Sequence, residues 1–365
     1  MNKNEKCLNA IRGCLIGGAA GDALGYPVEF MTLDEIYKHY PGTGITAYNL
    51  DNELGKGIIS DDTQMTLFTA KGILVAATRA KLRGIAAPLE SYIYRAYLDW
   101  LYTQTGKYQT EKRRPCWLTE IKELCVPRAP GNACISALQS GRMGTIEDPI
   151  NSSKGCGSVM HVAPVALSGG YTGLEGARTA AITHGHPLGY MSAEALAYII
   201  NRIVHGDNDN LESIVNDCID WLGECFPNDF NDFVLELQAY IELAIRLAQP
   251  LEKGSDTDNI ARIGEGWIAE EALCIALYCA MKYHDDFSAA ITAAVNHSGD
   301  SDSTGAITGN IVGALIGYEG ISAKWKQNLQ LHDLILEIAN DLHNGYRMDE
   351  TAMLGEERWL IKYGS

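Results

Sequence analysis

Long hydrophobic runs are missing from this 365-residue chain. None reaches the roughly 18 apolar residues that a membrane-spanning helix needs, so no membrane partner is expected. Its start, Met1-Asn2-Lys3-Asn4-Glu5-Lys6, is polar, and no secretory signal is expected. The apolar stretch that follows is rich in glycine and carries Asp22. Basic runs are also missing. The formal net charge is −17, and Arg113-Arg114 with its neighbours is too small a patch to form a phosphate-binding footprint, which excludes nucleic acid as a partner. No Cys-x-x-Cys occurs among the ten cysteines, so a zinc site is not expected. Cys7 with Cys14, and Cys218 with Cys225, are spaced to share a helix face and read as core. Free thiols in a reducing, cytoplasmic compartment are the expected state.

Alternating strand patterns are scarce, and no fixed-period repeat or linker-like stretch is present. Apolar residues recur instead with helical period over Met65–Ala77, Met191–Ile203, Phe233–Leu247, Ile268–Met281 and Ile307–Leu315. Ser91–Trp100 fits a strand or a helix by pattern, and its length and aromatics favour a buried helix. Glycine and proline punctuate between these segments, as at Pro41-Gly42, Pro127–Pro130 and Gly185–Pro187. The expected fold is all-α: one compact domain over residues 1–365, with a dozen or more helices and a monomer by default. Thr103–Pro130 reads as a long surface excursion.

Two glycine ladders stand out. Gly13, Gly17, Gly21 and Gly25 are four apart, and so are Gly305, Gly309, Gly313 and Gly317. Each helical glycine costs about 0.8–1.0 kcal/mol relative to alanine, so the ladders need a compensating contact. Very close packing of two central helices supplies one, with the ladders facing each other as the simplest arrangement.

Two acidic runs carry the chemistry. One is Ser60-Asp61-Asp62-Thr63 and the other is Asp300-Ser301-Asp302-Ser303-Thr304. Either run alone is a good helix N-cap. Capping needs only one carboxylate, however, and both runs are followed by apolar segments rather than further charge. Carboxylates crowded against buried helices repel one another, and a hard divalent cation resolves that repulsion.

The run His297-Ser298-Gly299-Asp300-Ser301-Asp302-Ser303-Thr304-Gly305 resembles the signature of the ADP-ribosylglycohydrolase family. So do Ser60-Asp61-Asp62-Thr63, the opening Gly17-Gly18-Ala19-Ala20-Gly21-Asp22-Ala23-Leu24-Gly25, and the central Gly155-Cys156-Gly157-Ser158-Val159-Met160. The four motifs stand in the family's order and span most of the chain. The resemblance implies two Mg²⁺ ions, with Mn²⁺ as the alternative, held by Ser60, Asp61, Asp62, Asp300, Asp302 and Ser303. At the last position Thr304 is an open alternative. It implies hydrolysis of the glycosidic bond at C1″ of ADP-ribose on a modified protein. Asp61 or Asp62 is the candidate base, followed by Asp302. Glu29 matches a mobile family glutamate that approaches the metals, or else it is an ordinary loop residue. Asp22 is expected to brace the site.

For ADP-ribose itself, the resemblance points to the small-residue loop Asn151, Ser153, Gly155, Cys156, Gly157 and Ser158. Backbone N–H groups there would meet the pyrophosphate, ahead of a helical run over Val159–Leu167. His184 would lie near the distal ribose or phosphates. His186, before Pro187, reads as structural, and His297 as a support behind the metal loop. Trp267 and Tyr198 are candidates for stacking adenine, although their helical spacing favours core. ADP-ribosylarginine is the favoured substrate. ADP-ribosylserine, O-acetyl-ADP-ribose and a non-catalytic binder, including a toxin-immunity role, remain alternatives. A metal-dependent phosphohydrolase is the weakest, since no nucleophile or arginine clamp is visible.

Overall fold

The computed structural model describes residues 2–84, 87–107, 116–206, 210–346 and 353–364. Arg113-Arg114 lies outside the described residues. Within them the chain is helical, with no strand beyond isolated bridges. The helices are α1 (Lys3–Gly25), α2 (Leu33–His39), α3 (Asp61–Arg83), α4 (Leu89–Thr105), α5 (Asn132–Gln139) and α6 (Ala163–Leu167). Next come α7 (Glu175–Ala181), α8 (Pro187–His205), α9 (Leu211–Cys225), α10 (Asn231–Ala248), α11 (Asp256–Ile263) and α12 (Ala269–Lys282). The last are α13 (Phe287–Val295), α14 (Ser301–Gly320), α15 (Ala323–Lys326), α16 (His332–Asn344) and α17 (Met353–Tyr363).

The peripheral helices follow ordinary amphipathic logic. In α9, Leu211, Ile214, Val215, Cys218 and Leu222 are buried along one stripe, while Glu212 and Asp217 face out. The central pair is different. α1 from Ile11 onward and α14 as far as Ala314 are buried on nearly every side, as expected of helices enclosed by the rest of the fold. They run antiparallel and pack backbone to backbone along the two glycine ladders. Gly13 meets Gly313, Gly17 meets Gly309, Gly21 meets Gly305, and Gly25 meets Ser301. A Cβ placed on Gly309 would overlap the Gly17 carbonyl oxygen and lie 2.6 Å from the Gly17 carbonyl carbon. The ladders are therefore each other's partners. The fourth rung of the second ladder departs from helix: Gly317 has φ 70° and ψ 167°, kinking α14 where it leaves the core.

Around this pair stand α3, α8, α12, α13 and α16. The stretch Ser91–Trp100 is helical within α4, with Ile93, Ala96, Tyr97 and Trp100 buried. The expected surface excursion is instead tied inward where it is described. Leu118 and Leu124 are fully buried, and Arg128 and Gly131 reach the start of α3. Two apolar anchors and the Arg128 hydrogen bond hold this segment, and Gly131 just beyond it adds a second bond. All ten cysteines are free thiols; Cys14 and Cys218 are buried, and Cys7 and Cys225 half-buried. Among the described residues, no helix is long and apolar enough to cross a membrane.

Candidate functional site

The tight α1/α14 contact brings the C-terminal end of α1 against the N-terminal end of α14, and α3 begins beside them. Asp22, on the last turn of α1, is fully buried. It accepts hydrogen bonds from the N–H of Ser60 at 2.9 Å and of Thr63 at 3.1 Å, and a third from the Thr63 hydroxyl. Asp22 thus braces the start of α3, as its place in the sequence suggested. Burial pushes its pKa up to about 6, partly offset by these hydrogen bonds. Ser60 caps α3, with its hydroxyl accepting from Asp62 N–H at 3.2 Å. Asp61 is fixed at both ends. Its N–H donates to Arg128 O at 3.0 Å, and its Oδ2 accepts from Gly131 N–H at 3.1 Å.

Asp300 caps α14, with Oδ1 accepting from Ser303 N–H at 3.2 Å. Its own N–H donates to Glu265 O at 2.9 Å. This turn depends on Gly299, at φ +132°, where a Cβ would lie 2.7 Å from the Glu265 carbonyl carbon. Ser303 N–H also donates to Asp302 Oδ1 at 2.9 Å. The Thr304 hydroxyl is taken up behind the loop by Ala294 O at 2.7 Å, Asp300 O at 2.9 Å and His297 Nε2 at 3.0 Å. The Thr304 hydroxyl is thus occupied behind the loop, whereas that of Ser303 makes only a long contact to Met160 Sδ at 3.9 Å, and His297 has a supporting place.

Glu29, just past α1, is only 8% exposed and is not a loop residue turned to solvent. It forms a trio with Asp300 and Asp302 whose carboxylate oxygens lie within 4.8 Å of one another. Asp61 and Asp62 stand beside this trio and share its field. Burial, then the charges of Asp300, Asp61 and Asp22, push Glu29 up to about 8. Burial first, and neighbouring carboxylates second, hold Asp62 and Asp302 well above the usual carboxylate range. Two buried oxygens, Glu29 Oε2 and Asp62 Oδ2, have no hydrogen-bond partner. Carboxylates without donors, packed against like charges, are a costly arrangement for the protein alone. Hard oxygen donors with free lone pairs fit a Mg²⁺ or Mn²⁺ ion.

The small-residue loop lies on the far side of Asp300. Its motif does not lead straight into a helix over Val159–Leu167. A 3₁₀ turn at Cys156–Ser158 comes first, and α6 starts only at Ala163. Several expected ligand contacts are already engaged within the protein. Asn151 Oδ1 accepts from Ser153 N–H at 2.9 Å and Gly185 N–H at 3.1 Å, while its Nδ2 donates to Thr183 O at 2.9 Å. Ser158 is buried, with its hydroxyl donating to Gly155 O at 2.9 Å. The N–H groups of Gly155 and Cys156 donate to Ser153 Oγ at 3.3 Å and Trp267 O at 3.1 Å. Asn151 and Ser158 therefore shape the loop, and the simple picture of a nest of free N–H groups does not hold for these positions. His184 is buried under Gly155 and Gly157, hydrogen-bonded to the Thr183 hydroxyl at 2.9 Å. Burial lowers its pKa to about 4, so it supports the loop as a neutral ring. His186 caps α8 by accepting from Leu188 N–H at 3.2 Å.

Two features were not legible from spacing. Trp267 is 38% exposed and stacks on the exposed Phe30, with ring centroids 5.8 Å apart, and so is not core. Tyr198 stacks on Trp221 within the helical packing. The second feature is that the Cys156 thiol donates to Asp300 Oδ2, joining the small-residue loop to the acidic trio. Thiols are weak donors, and the two residues are far apart in sequence, so no pattern signalled the pair.

Fold and site together define an all-α protein with a buried carboxylate cluster suited to hard divalent cations. The ADP-ribosylglycohydrolase family model matches residues 3–352, and the chain belongs to that family. It is 25% identical to the ADP-ribosylarginine hydrolase Tri1 of Serratia proteamaculans over 93% of this chain and 80% of that protein. It is 21% identical to the human ADP-ribosylhydrolase ARH3 over 94% and 95% of the two chains. A solved structure described as an ADP-ribosylglycohydrolase-related protein complex superposes with a TM-score of 0.63 at 21% identity, covering 93% of this chain and 99% of that one. That likeness supports the fold.

Proposed function

We propose that this glycohydrolase removes ADP-ribose from modified protein side chains, with ADP-ribosylarginine as the preferred substrate. What supports this most is the buried trio Glu29, Asp300 and Asp302 beside Asp61 and Asp62, with Glu29 Oε2 and Asp62 Oδ2 unpartnered, in a chain of this family. Ser60, Asp61, Asp62, Asp300, Asp302 and Ser303 would hold two Mg²⁺ ions, or Mn²⁺ in their place. When bound, the ions would neutralise the crowded carboxylates and orient the vicinal hydroxyls of the ribose.

The protein's own groups account for the rest. Asp61 or Asp62, followed by Asp302, would take a proton from the attacking water, the charge of bound cations favouring the ionised carboxylate over the raised pKa of the metal-free cluster. The new bond forms between that water oxygen and C1″. The C1″–N bond breaks, its electron pair stays with the guanidine nitrogen, and that strongly basic group takes up a proton as it leaves. Positive charge develops at C1″ in the oxocarbenium-like transition state, and a surround of carboxylates favours it. The likeness to Tri1 supports the arginine linkage. The likeness to ARH3, an ADP-ribosylhydrolase whose name states no linkage, leaves ADP-ribosylserine and O-acetyl-ADP-ribose as the second reading. A non-catalytic binder would have no need for five buried carboxylates without compensating cations. The decisive experiment offers arginine-, serine- and O-acetyl-linked ADP-ribose to the purified protein in parallel. Release from arginine alone is expected, and release from another linkage but not from arginine would overturn the assignment.

A further inference from the structure

Cys156 occupies a position that ordinary loop packing does not require. Its backbone is fixed on both sides: its N–H donates to Trp267 O at 3.1 Å, and its carbonyl accepts from Val159 N–H at 2.7 Å. The neighbouring residue Gly155 is bridged to Ile268, and Lys154 O accepts from Ala269 N–H at 2.8 Å. The side chain therefore projects from an anchored strip of backbone, and its thiol meets Asp300 Oδ2.

Asp300 needs such a partner. Its charge acts on the neighbouring Glu29, Asp62 and Asp302, and like charges at this range oppose its facing them unless donors hold it there. Ser303 N–H holds Oδ1 at 3.2 Å, but one donor fixes one oxygen only. The thiol supplies the second donor on the other oxygen. Each carboxylate oxygen offers about two lone-pair directions, so both bonds leave a lone pair free for a cation.

We infer that Cys156 is a positioning residue for Asp300, its thiol hydrogen holding the carboxylate in the orientation that receives a divalent cation. The inference rests on the proposed reading of Asp300 as a cation ligand. Removing a donor that orients a metal ligand typically weakens metal binding by about 10–100-fold. A serine retains a donor at this position; alanine and valine do not, and valine preserves most of the bulk.

The test is calorimetric titration of Mn²⁺ into the full-length protein without substrate, for wild type and for Cys156→Ser, Cys156→Ala and Cys156→Val, with melting temperatures measured in EDTA. The expected result is that alanine and valine each lower Mn²⁺ affinity by about 10–100-fold while serine stays within about threefold of wild type. The EDTA melting temperatures of the serine and valine variants should match wild type closely. Affinity in the valine variant within about threefold of wild type would overturn the inference, as would a serine variant as weak as alanine, which would make the role one of packing. Wild type that binds no divalent cation would instead refute the ligand reading of Asp300, and the inference would fall with it.

Discussion

Replacing Gly309 with alanine tests how the fold holds the site together. In an isolated helix this change is favourable by about 0.8–1.0 kcal/mol. Here the added Cβ would overlap the Gly17 carbonyl oxygen and sit 2.6 Å from its carbon. Ordinary contact begins near 3.4 Å, so α1 and α14 must part at that rung by at least about 0.8 Å to clear the carbon and by more to clear the oxygen. The obstacle is backbone on both sides, and no rotamer change relieves it. Overpacking of this kind costs about 1–3 kcal/mol, sometimes more. Because backbone cannot give way, the cost belongs at the upper end of that range; after the propensity gain the expected net loss is about 2 kcal/mol, a fall in melting temperature of about 3 °C for 365 residues. The same separation moves Asp300 and Asp302 away from Glu29 and the start of α3, so cation affinity should fall by about tenfold as well. Gly169 is the control, because a Cβ there meets nothing within 4 Å; its alanine variant should stay within about 0.5 kcal/mol of wild type. Urea denaturation in EDTA, together with calorimetric cation titration, reads both effects. A Gly309→Ala protein as stable as wild type, or more stable, would refute the ladder as a backbone contact.

Three further outcomes are expected at the site. Glu29 and Asp22 have folded-state pKa values of about 8 and about 6, above their ordinary values of 4.5 and 3.8. The folded metal-free protein therefore binds more protons than the unfolded chain, so its stability should fall as pH rises from about 4 to about 8. Mg²⁺ should reverse this, stabilising more at pH 8 than at pH 6; melting curves with Mg²⁺ or EDTA at the two pH values check the sign. Glu270 is fully buried and pairs with Lys154 at the root of the small-residue loop; Glu270→Gln should raise KM for ADP-ribosylated substrate more than it lowers kcat, as measured by steady-state kinetics. Asp22→Asn leaves one acceptor oxygen where two now serve Ser60 and Thr63, and should cost about 1–3 kcal/mol in denaturant unfolding.

The helices were readable because their apolar periods are long. The ladders were readable because eight glycines at four-residue spacing destabilise a helix unless another backbone packs against the bare stripe. The acidic runs were readable because carboxylates beside apolar segments need a partner. What stayed hidden depends on contacts between distant segments. Spacing could not show that Glu29 folds back into the trio, since a glutamate after a helix is ordinarily solvated. It could not show that Asn151 and Ser158 spend their hydrogen bonds on the loop itself, because the same residue types serve ligands and turns. Trp267 fits a helical stripe in sequence, yet it stands just before α12 and outside the core.

The most direct test of the central claim, that the two acidic runs form one cation-dependent hydrolytic site, is the rate of ADP-ribose release from an ADP-ribosylarginine protein. It should be measured with Mg²⁺, with EDTA, and after Mg²⁺ is restored, for wild type and Asp302→Ala. The account predicts release by wild type that EDTA abolishes and Mg²⁺ restores, and none above background from a folded Asp302→Ala protein. Undiminished release in EDTA, or by the Asp302 variant, would contradict it.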